Sequence, residues 1–179
     1  MINGKLIAGV PVAVLLALAL GSCGSSPPPP SMVCPPPLTV QDAGRITHFK
    51  EGAGRDPRDV AYEAALVSSG SSCKLSGNVL DVTVVMIVAV SAGPAGSAGQ
   101  TRVPYFVRVI DGRGTVLQGQ DFTADFKLSP ASPRGESREE LALTIPFNQT
   151  SDLAGYRIAV GLKPTPEELN YNRRAAGRP

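Results

Sequence analysis

The sequence has no tryptophan, and aromatic residues make up only 5% of it. Proteins that bind sugars or bases often stack them on aromatic rings, so a broad aromatic binding platform is not expected here. Histidine is almost absent as well, since His48 is the only one. A Ser-His-Asp or Cys-His catalytic site would have to use this residue, and a single histidine is more typical of a surface or a satisfied core position.

A charge excess of one sign is also missing. The chain has 17 Lys and Arg residues against 15 Asp and Glu residues, for a net charge of +2. This balance gives no basic surface of the kind that nucleic acid requires, so no nucleic-acid partner is predicted. Arg173, Arg174 and Arg178 form a short basic tail, which is typical of a solvated chain end.

No segment carries a complete catalytic or ligand-binding motif. Residues 96–99 lack the first glycine of G-x-S-x-G, and residues 52–56 are not followed by the Gly-Lys-Ser/Thr of a phosphate loop. Glu139 and Glu140 are neighbours, and on a strand they would point to opposite faces of the sheet. We therefore predict a non-enzymatic protein with no catalytic residues, no cofactor and no metal site.

The first residues of the chain are predicted to be a leader. Lys5 precedes an apolar run over residues 6–20, which as a helix would be about 22 Å long and too short for the ~30 Å hydrocarbon core. The run ends in LGSC at residues 20–23, which resembles the bacterial lipobox. We predict that residues 1–22 are a signal peptide and that Cys23 is acylated, for example with palmitate, and anchors the chain to a lipid bilayer. The alternative is an ordinary signal peptide with an incidental cysteine.

Residues 23–37 are predicted to comprise the lipidated cysteine and a proline-rich tether. Two proline runs favour a stiff polyproline II segment, and a disordered linker is the alternative. Gly24 rather than Asp follows Cys23, which in the enterobacterial sorting rule is typical of outer-membrane lipoproteins. We therefore expect the domain to be anchored in the cell envelope, at the outer membrane and facing the periplasm, with the inner membrane as the alternative.

Two further cysteines, Cys34 and Cys73, form an even pair. An exported chain meets an oxidising compartment, where such a pair most often forms a disulfide. Closing a loop of about 40 residues would stabilise the fold by ~4 kcal/mol in the chain-entropy estimate, and it would join the tether to the loop after the first predicted strand. A pair of metal-binding thiolates is the alternative, which the single histidine and the absence of C-x-x-C disfavour.

Residues 38–165 are predicted to form one β-rich domain. Alternation of apolar and polar residues indicates about six strands. These strands lie near residues 59–68, 78–91, 103–111, 115–126, 141–147 and 156–162. Residues 111–114 read Asp-Gly-Arg-Gly, which is typical of a hairpin turn. Because no βαβ unit is indicated, we expect a mainly β fold, an antiparallel β-sandwich of immunoglobulin or fibronectin type with a short C-terminal helix.

Three segments are less clearly patterned. Residues 59–68 alternate as a strand does, whereas Asp56-Pro57 could cap a helix at the same place, and we favour the strand. Residues 38–58 are expected to be irregular, with a short helical turn near residues 41–49. Residues 129–138 are rich in Pro, Ser and Arg and are expected to be a polar loop.

Other features concern the surface and the C-terminus. Both faces of residues 85–90 are apolar, so either the C-terminal segment or a partner is expected to cover the second face. Pro146 predicts an edge strand or a bulge. Residues 165–168 form a capping box with proline at the first helical position, so residues 166–179 are predicted to be a short helix and a basic tail.

A set of short segments also resembles a known group of proteins. The segments are LGSC at 20–23, Cys34-Pro35, DAGR at 42–45, residues 52–56, VPYFV at 103–107, Ile145-Pro146, and TPEEL at 165–169 before Asn172-Arg173. Together they resemble a family of uncharacterised alphaproteobacterial lipoproteins over most of residues 34–173. The resemblance implies an envelope location and carries no activity, so it assigns no catalytic residues.

These observations favour one function and leave an alternative. The first hypothesis is a membrane-anchored envelope lipoprotein with a structural or adaptor role, whose sandwich docks to another envelope protein through an edge strand or an apolar face. The alternative is a periplasmic module that binds a small molecule or a glycan, for which a deep pocket with convergent polar groups would be the sign.

Overall fold

The computed structural model describes residues 34–52 and 54–177. The predicted signal peptide over residues 1–22, the predicted lipidation site Cys23 and most of the tether lie outside the described residues.

The described chain folds as a β-sandwich with a short C-terminal helix, as predicted. The strands are β1 (Pro37–Thr39), β2 (Arg45–Phe49), β3 (Val60–Ser76), β4 (Val79–Ala92), β5 (Gly99–Ile110), β6 (Val116–Leu128), β7 (Arg134–Pro146) and β8 (Arg157–Leu162), and the helix is α1 (Pro166–Ala175). One sheet has the order β1-β8-β5-β6 and the other β2-β3-β4-β7. β1 runs parallel to β8, and the other strand pairs are antiparallel.

The core lies between the sheets and follows from strict alternation along the central strands. The inward side chains of β4 are at most 3% exposed, and those of β5 at most 2%. They are Leu80, Val82, Val84, Met86, Val88 and Val90 on β4, and Val103, Tyr105, Val107 and Val109 on β5. Burying one such aliphatic side chain contributes about 1.5–3 kcal/mol relative to exposure, so these two rows hold the sheets together.

The structure confirms several local predictions. Residues 59–68 lie mainly in a strand, because β3 runs from Val60 to Ser76. A turn over residues 111–114 joins β5 to β6, with a hydrogen bond from the Gly114 amide to the Asp111 carbonyl. α1 begins at Pro166 behind a capping box in which the Thr165 hydroxyl accepts from the Glu168 amide.

Other local predictions are wrong. Residues 45–49 form β2 rather than a helical turn, and β7 begins at Arg134, inside the segment expected to be a polar loop. Cys73 lies within β3 rather than in a loop after it.

Candidate functional site

The junction between tether and sandwich is built around the two cysteines. The Sγ atoms of Cys34 and Cys73 are bonded at 2.00 Å, and both residues pack against the core. The Ser71 hydroxyl donates a hydrogen bond to the Pro35 carbonyl at 2.8 Å. Because β1 begins at Pro37, the chain is held to both sheets within a few residues of the end of the predicted tether.

The outward side chains of β4 form an apolar row, which we call the outer stripe: Val85, Ile87 and Ala89. All three are half-buried. Their neighbours on β3 are small, since Gly70 pairs with Val85 and Ser68 with Ile87. The outer stripe therefore forms a shallow apolar strip between a low wall of small residues and the charged side chains of β7.

The C-terminal helix docks on β2, at the edge of the sheet that carries the outer stripe, with β3 between β2 and β4. Tyr171 contacts Phe49 edge-on, with ring centroids 4.8 Å apart, and the Asn172 amide donates to the Arg45 carbonyl at 2.8 Å. Phe49 and Arg45 both belong to β2. Of the two covers expected for the second apolar face, the C-terminal segment thus packs on β2 and leaves the outer stripe half-exposed.

An open groove of about 540 Å³ lies at one end of the outer stripe. Its floor includes Ala65 and Ala89. Its charged wall residues are Arg45, Glu63, Arg134 and Glu136. Two positive and two negative side chains around a small apolar floor suit a peptide or protein surface of mixed charge, since such an arrangement favours no single ionic ligand.

The only histidine has a partner far away in sequence. His48 Nδ1 lies 2.7 Å from Glu168 Oε1, and its ring stacks on Tyr62 with centroids 4.6 Å apart. The His48 side chain is 43% exposed and that of Glu168 only 9%, so the pair joins surface and interior. Burial, with the nearby Glu168 charge, raises the pKa of Tyr62 to about 12.

The pair borders an open cleft of about 310 Å³, the His48 cleft. The cleft is lined by side chains from both sheets and α1, including Tyr62, Arg102, Pro104, Thr123 and Lys163. A His–Glu pair could serve as a general base. Within the described residues, however, the His48 ring is hydrogen-bonded to Glu168 and to no hydroxyl or thiol, so the arrangement offers polar contacts without an activated nucleophile.

Of the site residues predicted from the sequence, only the two disulfide cysteines lie among the described residues. Cys34 and Cys73 are brought together, whereas Cys23 lies outside the described residues. The pairing of His48 with Glu168 was missed. The capping box identified Glu168 as a helix-start residue, but only its placement against β2, 120 positions away in the chain, shows that its carboxylate also meets a histidine.

No group of three or more His, Cys, Asp or Glu side chains in the described part of the chain could hold a metal ion. Nor does the described part contain a helix long and apolar enough to cross a membrane.

Comparison with protein-family models, with curated protein sequences and with solved structures finds no match to this chain.

Proposed function

We propose that this chain is a lipid-anchored envelope protein without enzymatic activity, whose sandwich binds another envelope protein across the outer stripe. The observation that carries the proposal is the position of α1. The helix packs on β2 and leaves Val85, Ile87 and Ala89 half-exposed on the outer face of the sheet. An apolar strip on a rigid sheet face, rimmed by charges of both signs, is typical of a protein-binding surface.

The tether junction supports the anchoring half of the proposal. A lipid on Cys23 would be connected through the proline-rich tether to Cys34, which is bonded to the long strand β3. Force applied at the membrane would then reach the core through a covalent link rather than through β1, which is only three residues long. Such a connection suits a domain that holds a partner at a fixed distance from the bilayer.

The docking half can be tested by site-specific photo-cross-linking in intact cells. A photoreactive residue at Ile87 should give one dominant adduct with an envelope protein, identified by mass spectrometry. The same residue at Thr123, which is exposed on the other sheet, is the matched control and should not give that adduct. A further Val85→Asp substitution should remove the Ile87 adduct, because a charge in the strip opposes burial of the interface.

The proposal fails if Ile87 and Thr123 capture the same scattered neighbours, or if Val85→Asp leaves the Ile87 adduct unchanged. The anchoring half has its own test. Cys23→Ser should abolish incorporation of labelled palmitate and release the chain from the membrane fraction. Retention of label by this variant would refute Cys23 as the lipidation site.

One observation favours the second candidate function, binding of a small molecule or glycan. Arg102 and Lys163 line the His48 cleft together with Tyr62. Their charged groups are paired with Asp125 and Asp121 and carry further N–H groups that can donate hydrogen bonds to hydroxyl or anionic oxygens of a ligand. A ligand there should raise the unfolding temperature by mass action, and His48→Ala should reduce that rise. If no compound of a glycan and metabolite panel does so, this function is refuted for the panel's compounds.

A further inference from the structure

We infer that this protein forms a two-fold symmetric homodimer in which the free edge of β7 pairs, antiparallel, with the β7 edge of a second copy. β7 is the terminal strand of its sheet, hydrogen-bonded to β4 on one side only. The inference concerns a different partner from the one proposed above and stands independently of it.

The register of β7 on β4 shows which backbone groups are available. The Ala92 amide donates to the Pro133 carbonyl, and the Phe147 amide donates to the Asn78 carbonyl. Because bonded and non-bonded residues alternate in an antiparallel ladder, the odd-numbered residues of β7 bond to β4. The even-numbered residues 134–146 direct their backbone groups to the free edge. Pro146, which has no N–H to donate, stands at one of these outward positions.

The side chains of the same even-numbered residues alternate in charge. Along the outer face of the sheet, β7 presents Arg134, Glu136, Arg138 and Glu140 in succession, and all four are exposed. Ala142 and Thr144 follow, so the alternating pattern is confined to the first half of the strand. A pattern of plus, minus, plus, minus is complementary to itself when it is reversed.

Antiparallel pairing centred on Ser137 uses this complementarity in full. It places Glu136 opposite Arg138 of the second copy, and Arg134 opposite Glu140, each pair occurring twice. All four pairs occupy outward positions, so each can exchange two backbone hydrogen bonds in the new ladder. Opposite charges directly across an antiparallel pair are favourable, and like charges are unfavourable.

The charges also exclude the neighbouring registers. Moving the centre by one residue to Glu136 would place that residue opposite itself and Arg134 opposite Arg138. A centre at Arg138 would do the same with Arg138 opposite itself and Glu136 opposite Glu140. Within one chain, Arg138 and Glu140 form an ion pair at 3.1 Å, and both side chains are more than half-exposed. Such an exposed pair contributes little to stability, so Arg138 and Glu140 can exchange it for the ion pairs with the second copy.

A second copy of this chain is the partner that best complements the free edge of β7. Interfaces of two-fold symmetry bring one surface patch against itself, and four of four charged positions are satisfied in one register. The dimer would form a continuous eight-stranded sheet with the two outer stripes on the same face. The dimer would also cover an exposed strand edge, which in monomeric proteins is protected from edge-to-edge aggregation by charged side chains, prolines or bulges.

Disulfide cross-linking tests the register. Ser137 would face Ser137 of the second copy as a non-bonded pair, with Cα atoms ~4.5 Å apart, within the range that a disulfide spans. The full chain carrying Ser137→Cys, in detergent micelles and in envelopes, should therefore form a disulfide-linked dimer on mild oxidation. In Ala142→Cys, the matched control on the same strand, the two thiols would be ~30 Å apart and should not cross-link.

Charge exchange gives a second test on exposed residues that folding does not require. Glu136→Arg and Arg138→Glu alone each place like charges across the edge twice and should weaken dimerisation about tenfold or more by sedimentation. The double variant restores the two pairs between positions 136 and 138 with reversed signs, leaves the two Arg134–Glu140 pairs unchanged, and should recover the dimer. A monomeric native chain, absence of the Ser137→Cys cross-link in a folded variant, or dimerisation that the single charge variants leave unchanged would each overturn the inference.

Discussion

Loss of the Cys34–Cys73 disulfide should destabilise the sandwich strongly, and the structure sets the size of the effect. The two cysteines are 39 positions apart in the chain. They join the start of the sandwich to β3, the longest strand among the described residues. The Ser71 hydrogen bond to the Pro35 carbonyl, at 2.8 Å, remains possible without the disulfide, so the change isolates the covalent link.

The chain-entropy model gives the magnitude. For a closed loop of 39 residues, the entropy removed from the unfolded state is about 13 cal/mol/K, which corresponds to ~4 kcal/mol at 25 °C. In a domain of about 150 residues, each kcal/mol lowers the midpoint of thermal unfolding by roughly 2–4 °C. Reduction should therefore lower this midpoint by roughly 8–16 °C.

Circular dichroism of the chain expressed from Gly24 onward, with and without a phosphine reductant, measures the shift. The Cys34→Ser, Cys73→Ser double variant should unfold at the temperature of the reduced native chain and should not respond to reductant. A shift below about 3 °C on reduction would refute the argument. It would mean that the unfolded state already holds these segments together, or that the loop contributes nothing to stability.

Three further predictions concern packing and pH. Gly161→Ala should lower the free energy of unfolding, measured by urea titration, by about 1–3 kcal/mol, because the added Cβ would lie 2.8 Å from the nearest side-chain carbon. Gly70→Ala is the control and should have little effect, because an added Cβ there would have nothing within 4 Å. Leu80→Ala, at a side chain with 0% exposure, should cost about 2–5 kcal/mol, and Leu117→Ala, at 49% exposure, should cost less than ~0.5 kcal/mol. The pKa of Tyr62 is raised from 10.0 to about 12 in the folded state, so above pH 10 the folded chain keeps a proton that the unfolded chain releases. The free energy of unfolding should therefore fall between pH 10 and about 12, and Tyr62→Phe should reduce that fall.

The parts of the fold that could be predicted from sequence are those with a long hydrophobic period. β4 and β5 each bury four or more alternating residues, and such a period is unambiguous. β1 has three residues and β2 five, which is too short for a period to stand out from an irregular segment. β1 depends on pairing with β8, which is distant in sequence. β2 pairs with β3, the next strand, but the intervening segment has no tight-turn signal that indicates the contact.

Among the candidate sites, the disulfide could be predicted from the sequence and the His48–Glu168 contact could not. The disulfide could be predicted because cysteine chemistry and compartment restrict the pairing of an even pair. The His48–Glu168 contact could not be predicted, since it depends on how α1 packs against β2. Thr165 and Glu168 specify where the helix begins, but the docking of the helix is decided by the aromatic contact of Tyr171 with Phe49.

The sequence predicts a loop for the first half of β7 because neither face of the strand is apolar there. Its outer face carries alternating charges, and its inner face begins with Gly135, Ser137 and Glu139, of which Glu139 accepts a hydrogen bond from the Tyr105 hydroxyl at 2.7 Å. A strand without an apolar face lacks the burial that usually fixes register. In the proposed dimer, cross-strand charge pairing would fix it instead. Charges that served only to keep an exposed edge soluble would have no reason to alternate in sign. Comparison of the single variants with the Glu136→Arg, Arg138→Glu double variant therefore separates the two roles. The double variant keeps the number of charges and the net charge and should recover the dimer that each single variant weakens, which a role in solubility alone does not predict.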